Sequence, residues 1–70
     1  MSRLTVSLAK NIKRERQKLN LSQDKLSKLA GITLHALTKI EGGVTLDPRI
    51  ETVKHIADAL GISIDDLLKP

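Results

Sequence analysis

Hydrophobic residues recur along this chain at helical spacing, with short interruptions and almost no strand-like alternation. In the first part, Leu8, Ile12 and Leu19 form an apolar stripe at four- and seven-residue intervals, and basic side chains occupy the opposite side. This pattern predicts a first helix over about Thr5–Leu19, with Asn20 at its end.

A second helix is predicted to begin after Ser22, because a serine hydroxyl can accept one of the unpaired N–H groups at a helix start. Leu26, Leu29 and Ala30 provide its inward face. Gly31 ends it, since glycine adopts the left-handed conformation at little cost.

A third helix follows almost at once. Thr33 is its predicted N-cap, Leu37 and Ile40 are its inward residues, and Gly42 with Gly43 ends it. These predicted second and third helices are separated by a very short glycine turn, the geometry of a helix-turn-helix over about residues 22–42. A generic packed helix pair is the alternative, because short glycine turns are common in small bundles.

Two more helices complete the predicted fold. Asp47 and Pro48 are assigned as the N-cap and first position of a fourth helix that Gly61 closes, and Ser63 begins a short fifth helix. Residues 1–70 are therefore expected to form one compact all-α domain of five helices. The predicted core consists of the inward apolar positions Leu8, Ile12, Leu19, Leu26, Leu29, Ala30, Ile32, Leu37, Ile40, Leu46, Ile50, Val53, Ile56, Ala57, Leu60 and Ile64.

Two stretches, "LSQDKLSKLAGITLHALTKIEGG" and "DPRIETVKHIADALGISIDDLL", resemble the Cro/C1-type (XRE-like) helix-turn-helix family of phage repressors and bacterial transcriptional regulators. The matching features are Leu21-Ser22-Gln23, Leu26, Gly31-Ile32, Ile40-Glu41-Gly42, Pro48 and Ala59-Leu60-Gly61. Ser27 departs from the family's usual alanine, and Leu34 stands where many members have a polar residue. The resemblance implies a lambda-repressor-like DNA-binding domain that acts on double-stranded DNA.

The resemblance also implies which side chains read DNA bases in the major groove. They are the start and outer face of the third helix: Thr33, Leu34, His35, Thr38 and Lys39. Lys39 can donate to guanine O6 or N7, and Leu34 offers only apolar contact, which suits a thymine methyl. A solvated helix face is the alternative interpretation for each residue.

Contacts to the DNA backbone are expected from a second set, which comprises Lys13, Arg14, Ser22, Gln23, Gly43 and Val44. In the family, the residue that matches Gln23 touches a phosphate, beside helix N–H groups that favour anions. Ser22 as a cap and the glycines as a helix stop are the alternatives. Arg49 matches a position that reaches the minor groove in some members. The alternative for Arg49 is an ordinary solvated arginine.

Arg16 and Glu41 lie at the edges of the apolar stripes of the first and third helices. Two opposite charges, each half on an inward face, are best explained by each other, and family members pair a matching arginine and glutamate. We therefore expect a structural ion pair between them. Glu15 lies as near its stripe as Arg16, but its charge would repel Glu41, so we expect it to lean toward solvent.

Composition narrows the class of partner. The 70 residues include no cysteine and no aromatic residue, which excludes disulfides and argues against stacking on single-stranded nucleic acid. Residues 1–43 carry nine basic and three acidic side chains, whereas residues 44–70 carry three basic and five acidic ones. A one-sided basic surface suits a polyanion, although it can also belong to an ordinary basic protein.

No apolar run approaches the length of a membrane span, and the polar segment 2–8 does not fit a signal peptide. A cytoplasmic, nucleoid-associated protein is therefore expected. His35 and His55 fall on different helices without nearby ligands, and no nucleophile motif or phosphate-binding glycine loop is present. We expect no metal, cofactor or small-molecule ligand, and no enzyme activity.

A single recognition helix reads few base pairs, so domains of this size usually bind inverted repeats as dimers. Ile62, Leu67 and Leu68, with the Thr45–Arg49 loop, are the predicted homodimer contact. The alternative is that these residues simply close the core.

The leading hypothesis is a small sequence-specific repressor, or a controller protein of a restriction–modification operon. A protein-interaction module of antitoxin type is the second, and a nonspecific nucleoid protein or RNA binder the third.

Overall fold

The computed structural model describes the backbone of residues 3–70 and the side chains from Ser7 onward. Residues 1–2, which the predicted domain includes, lie outside the described residues. The elements are α1 (Arg3–Lys18), α2 (Gln23–Ala30), α3 (Leu34–Glu41), α4 (Ile50–Leu60) and α5 (Ile64–Leu68). Residues 3–70 contain no strand, and the predicted all-α five-helix class is confirmed.

Most helix ends follow from local chemistry. The hydroxyl oxygens of Ser22, Thr33 and Ser63 each accept the backbone N–H three residues further along, at 3.0 Å, which caps α2, α3 and α5. Gly31 and Gly61 end α2 and α4 in the left-handed conformation, with φ of 69° and 73°. These caps are the ones that the sequence predicts.

The start of α4 differs from the prediction. The N-cap is Arg49, with φ −64° and ψ 142° and no side-chain cap, and the helix begins at Ile50. Asp47 and Pro48 belong instead to the loop that precedes it. The prediction was wrong because an Asp-Pro pair favours a turn as strongly as a helix start.

The core lies where the five helices meet. Ile32 and Ile64 are partly buried and pack against it. The predicted core residues that are buried are Leu8, Ile12, Leu26, Ala30, Leu37, Ile40, Val53, Ile56, Ala57 and Leu60.

Four predicted core residues lie on the surface instead: Leu19, Leu29, Leu46 and Ile50 are 50–63% exposed. Leu19 follows the last residue of α1 and lies in the turn. The buried face of α2 is rotated toward Ser27, which is only 2% exposed, and this rotation carries Leu29 outward. Leu46 and Ile50 lie in the loop and first turn before the first buried residue of α4.

The fifth helix is sealed onto the first. Leu67 is fully buried, so its predicted place in a dimer contact is wrong. Asn11, 3% exposed, donates through Nδ2 to the backbone oxygen of Leu67 at 2.8 Å and to that of Lys69. Ile62 and Leu68 are partly buried against the core. The predicted alternative, in which this segment closes the core, describes what α5 does.

Packing between helices fixes the pose of α3. Helix α2 packs on α4, α1 packs on α5, and α3 lies against both α1 and α2. One face of α3 is therefore buried and the other is left outside. Within residues 3–70, no helix is long and apolar enough to cross a membrane.

Candidate nucleic-acid interface

The turn between α2 and α3 has three residues, Gly31 to Thr33. The N–H of Gly31 donates to the Lys28 carbonyl, and the N–H of Ile32 donates to the Ser27 carbonyl at 3.0 Å, so the turn folds back onto the end of α2. Thr33 then leaves in an extended conformation and caps α3. The two helices are thereby joined in a fixed relation.

The outer face of α3 carries the predicted base-contacting residues. His35 and Lys39 are exposed, and Leu34 is 42% exposed. The two threonines are partly engaged within the helix, because Thr33 Oγ1 is the N-cap acceptor and the Thr38 hydroxyl donates to the His35 carbonyl at 2.9 Å. His35 and Lys39 therefore offer the most accessible polar groups of this set.

The inner end of α3 is held by a buried ion pair. Arg16 Nε donates to Glu41 Oε2 at 2.9 Å and Nη2 donates to Oε1 at 3.0 Å, and the two side chains are 12% and 3% exposed. Arg16 Nη1 also donates to the Leu21 carbonyl at 2.8 Å. The ion pair expected from sequence is present, and it joins α1, the α1–α2 connection and α3.

Glu15, the neighbouring acid, turns away from this pair. It accepts from Lys18 Nζ at 3.1 Å and from Arg14 Nε at 3.4 Å. The hydrogen bond from Lys18 is the main cause that lowers the pKa of Glu15 below its ordinary value, Arg14 adds to it, and burial acts in the opposite direction. Glu15 thus pairs at the surface and leaves Glu41 to Arg16.

The predicted phosphate-contacting residues divide into two groups. Lys13 and Arg14 are exposed on α1, and Ser22 and Gln23 lie at the start of α2, where the Gln23 amide nitrogen donates to Glu41 Oε1 at 3.3 Å.

Gly43 and Val44 form the second group, and their N–H groups are used inside the chain. Gly43 is buried and its N–H donates to the Ile40 carbonyl, while the N–H of Val44 donates to the Lys39 carbonyl at 2.9 Å. These bonds argue against the predicted phosphate contact through these two backbone groups, because the donors that close α3 are no longer available to an anion.

A cavity of about 310 Å³ lies between α3 and the loop that leads into α4. His35 and Lys39 line one side, and Asp47 and Arg49 line the other. The structure therefore brings Arg49, which lies in the loop after α3, to the same surface as the outer face of α3. Among the described residues, no cluster of three or more histidines or acids could hold a metal ion.

A buried helix face, a short capped turn and an exposed polar second face define a helix-turn-helix DNA-binding domain. The family model described as "Helix-turn-helix domain" matches residues 9–69. The chain therefore belongs to the XRE-like helix-turn-helix family, and the resemblance noted in the sequence is confirmed. Its fold and the exposed face of its third helix are those of a DNA-binding domain of this class.

Solved structures agree with this assignment. The hypothetical transcription factor NHTF from Neisseria superposes with a TM-score of 0.91 at 25% identity, over 96% of this chain and 76% of that one. An HTH_3 family transcriptional regulator from Vibrio cholerae superposes with a TM-score of 0.85 at 30% identity, over 91% of this chain and 35% of that one. No curated protein gives a significant match.

An enzyme carries the same fold. Hydroxypropylphosphonic acid epoxidase from S. wedmorenis superposes with a TM-score of 0.87 at 24% identity, over 100% of this chain and 37% of the enzyme. This likeness concerns the fold alone. The present chain spans little more than a third of the Vibrio regulator and of the epoxidase.

Proposed function

We propose that the protein is a sequence-specific transcriptional regulator, a small repressor or restriction–modification controller that places α3 in the major groove of an inverted-repeat operator. The observation that carries the proposal is the division of α3 into two faces. Leu37, Ile40 and Glu41 hold it against the domain, while His35 and Lys39 are exposed on the other side. In this proposal the protein is not an enzyme. It is nucleoid-associated and cytoplasmic.

Base reading is assigned first to Lys39 and His35. The Lys39 ammonium donates to guanine O6 or N7, and His35 donates or accepts according to its tautomer. Leu34 contacts a thymine methyl. Thr33 and Thr38 make weaker contacts, because their hydroxyl groups already serve the helix backbone.

Backbone contacts are assigned to Lys13, Arg14, Ser22 and Gln23. The cavity between α3 and Arg49 supports a minor-groove role for that arginine, because the sugar–phosphate ridge separates the two grooves of a duplex. With α3 in the major groove, the ridge fits into the cavity and Arg49 reaches across it. Each lysine or arginine that neutralises a phosphate releases counterions, so affinity falls steeply as salt rises.

A homodimer is part of the proposal, because an inverted repeat presents two identical half-sites. Val44 and Ile50, which follow α3, are 65% and 63% exposed, and Leu46 between them is 58% exposed. We assign the self-contact to this apolar patch, with the outer edges of Ile62 and Leu68. Sedimentation of the parent at tens of micromolar should show a dimer and that of Ile50→Asp a monomer. Two identical monomeric species would contradict the assignment.

Selection from random duplexes tests the function directly. The parent should enrich an inverted repeat and bind it at least about 10³-fold more tightly than random DNA. Lys39→Ala should weaken the discrimination between the correct base and the other bases at one operator position by about tenfold or more. Lys54 is an exposed lysine on α4, so Lys54→Ala serves as the matched control and should keep the parent's base preference. The absence of an enriched sequence would overturn the proposal.

One observation favours the second candidate, a protein-interaction module of antitoxin type. Leu29 is 54% exposed beside a cavity between α2 and α4 that His55 and Asp58 also line. A protein partner that docks there would be recognised by loss of binding in Leu29→Asp. Failure of DNA selection together with that loss would favour this function over DNA regulation.

A further inference from the structure

The Glu41 carboxylate receives hydrogen bonds from two different helices. Arg16 of α1 occupies both oxygens, at 2.9 and 3.0 Å, and Gln23 of α2 donates to Oε1 at 3.3 Å. With its side chain only 3% exposed, the carboxylate depends on these donors instead of water. Glu41, at the last position of α3, is thus the point where three helices share one acceptor.

This arrangement sets the direction of the Gln23 amide. Its nitrogen faces Glu41, because a carboxylate accepts and cannot donate. An amide nitrogen carries two hydrogens, so one N–H is used by Glu41 and the second is left for another acceptor. A glutamine without this bond would have to lose side-chain freedom when it binds a phosphate, whereas an oriented one loses less.

We infer that Glu41 is a positioning residue for the phosphate contact of Gln23. The inference rests on the proposed DNA-binding function, in which Gln23 touches the backbone. Glu41 therefore couples the position of α3, which is proposed to read bases, to that of the Gln23 amide, which is proposed to bind a phosphate. A shift of α3 would also move the Gln23 amide. The role differs from fold stabilisation, because it acts on one identified contact.

Gln23→Ala measured in three backgrounds tests this role. The first background is the parent. The second is Arg16→Met with Glu41→Leu, which replaces the ion pair by apolar side chains and removes the acceptor, a change that buried pairs often tolerate. The third is Arg16→Lys, which weakens the pair but keeps the Glu41 carboxylate. Affinity for the selected operator is measured at a temperature at which circular dichroism shows every variant to be folded.

We expect Gln23→Ala to weaken binding about tenfold in the parent and in Arg16→Lys, as for a hydrogen bond to a charged group. In the apolar background the loss should be twofold or less, because Gln23 is already unoriented there. Equal losses in all three backgrounds would overturn the inference while leaving the proposed function intact. Failure to obtain any specific operator would overturn the proposed function and this inference with it.

Nitrogen-15 NMR of the free protein gives a second measurement that does not depend on the apolar variant. Gln17, the other glutamine, is exposed on α1 and serves as the internal control. The side-chain amide of Gln23 should show restricted motion and slower hydrogen exchange than that of Gln17. Indistinguishable behaviour of the two amides would overturn the inference.

Discussion

Helix α1 carries two inward polar residues that fasten different helices. Asn11 is a neutral amide that donates to backbone carbonyls at the end of α5, and Arg16 is a cation that holds the Glu41 carboxylate at the end of α3. Both are shielded from water, but the first anchors a helix that closes the core and carries none of the proposed DNA contacts. The second anchors the helix proposed to meet DNA.

The two anchors differ in strength and in what they fix. An amide that loses its carbonyl partners leaves a neutral group unsatisfied, whereas a guanidinium that loses its carboxylate leaves a buried charge. The two parallel N–H···O bonds between Arg16 and Glu41 also fix the angle between the guanidinium and the carboxylate. Asn11 makes one bond to each of two separate carbonyls, which does not fix such an angle. The helix whose orientation matters for binding thus has the more exacting anchor.

Removing the charged anchor should have the largest effect. Glu41→Ala leaves Arg16 without its partner and should lower the free energy of unfolding by about 3–5 kcal/mol. For a domain of this size, each kcal/mol lowers the melting temperature by about 4–8 °C. Thermal unfolding followed by circular dichroism measures the shift, and a melting temperature equal to that of the parent would contradict the role given to the pair.

Removing the neutral anchor should have a smaller effect. Asn11→Ala leaves the carbonyls of Leu67 and Lys69 without this donor and should cost about 1–3 kcal/mol. Operator affinity of the folded variant should stay within about twofold of the parent, because Asn11 is buried and takes no part in the proposed DNA contacts. A loss of affinity well above twofold would show that the Asn11 anchor also influences the proposed interface.

Breaking an exposed ion pair provides a reference for the stability losses of Glu41→Ala and Asn11→Ala. Lys28 Nζ lies 3.1 Å from Asp24 Oδ2 on α2, and both side chains are more than half exposed. Asp24→Asn should change stability by about 0.5 kcal/mol or less, since water and salt screen such pairs. Urea titration gives the difference, and a cost near that of Glu41→Ala would mean that burial is not what distinguishes the Arg16 anchor.

The smallest effect is expected in the first turn of α5, at Asp66. A hydrogen bond from Lys69 lowers the pKa of Asp66 below its ordinary value, and the Ser63 side chain adds to this shift. A lowered pKa stabilises the fold above the unfolded pKa, and the contribution disappears as pH falls through the folded pKa. Asp66→Asn should therefore melt slightly below the parent at neutral pH and equally in strong acid. A gap that persists in acid would contradict this origin.

Much of the fold could be predicted because its signals are local. Ser22, Thr33 and Ser63 cap helices through hydrogen bonds to N–H groups three residues away. Gly31 ends α2 because glycine readily adopts the left-handed conformation. The ion pair between Arg16 and Glu41 could also be predicted from the sequence, because an inward-facing charge on each of two helices requires a partner of opposite charge.

What the sequence could not show depends on how the helices rotate against each other. Leu29 points outward because α2 buries Ser27 instead, and a hydrophobic pattern alone does not choose between these faces. Asn11 was missed although it lies three residues after Leu8 on the inward side of α1. Leu67 was placed on the surface because a five-residue helix has too few turns to define a face.

In the candidate site, the composition of the outer face of α3 could be predicted, but its hydrogen bonds could not. The bond from Gln23 to Glu41 joins residues 18 apart, and no spacing rule indicates it. The use of the Gly43 and Val44 N–H groups to close α3 also emerges only from the folded loop.

The bond from Asn11 to Leu67 has a consequence for the time at which the domain forms during synthesis. It joins residues 56 apart, so the part of α1 that packs on α5 is covered only after almost the entire domain has been synthesised. While α5 is still inside the ribosomal tunnel, α3 can already pack on α1 and α2, because the Arg16–Glu41 pair joins only earlier parts of the chain. The closure of α5 over Asn11 is therefore the last step in the folding of residues 3–70 during synthesis, after the two helices of the helix-turn-helix have emerged.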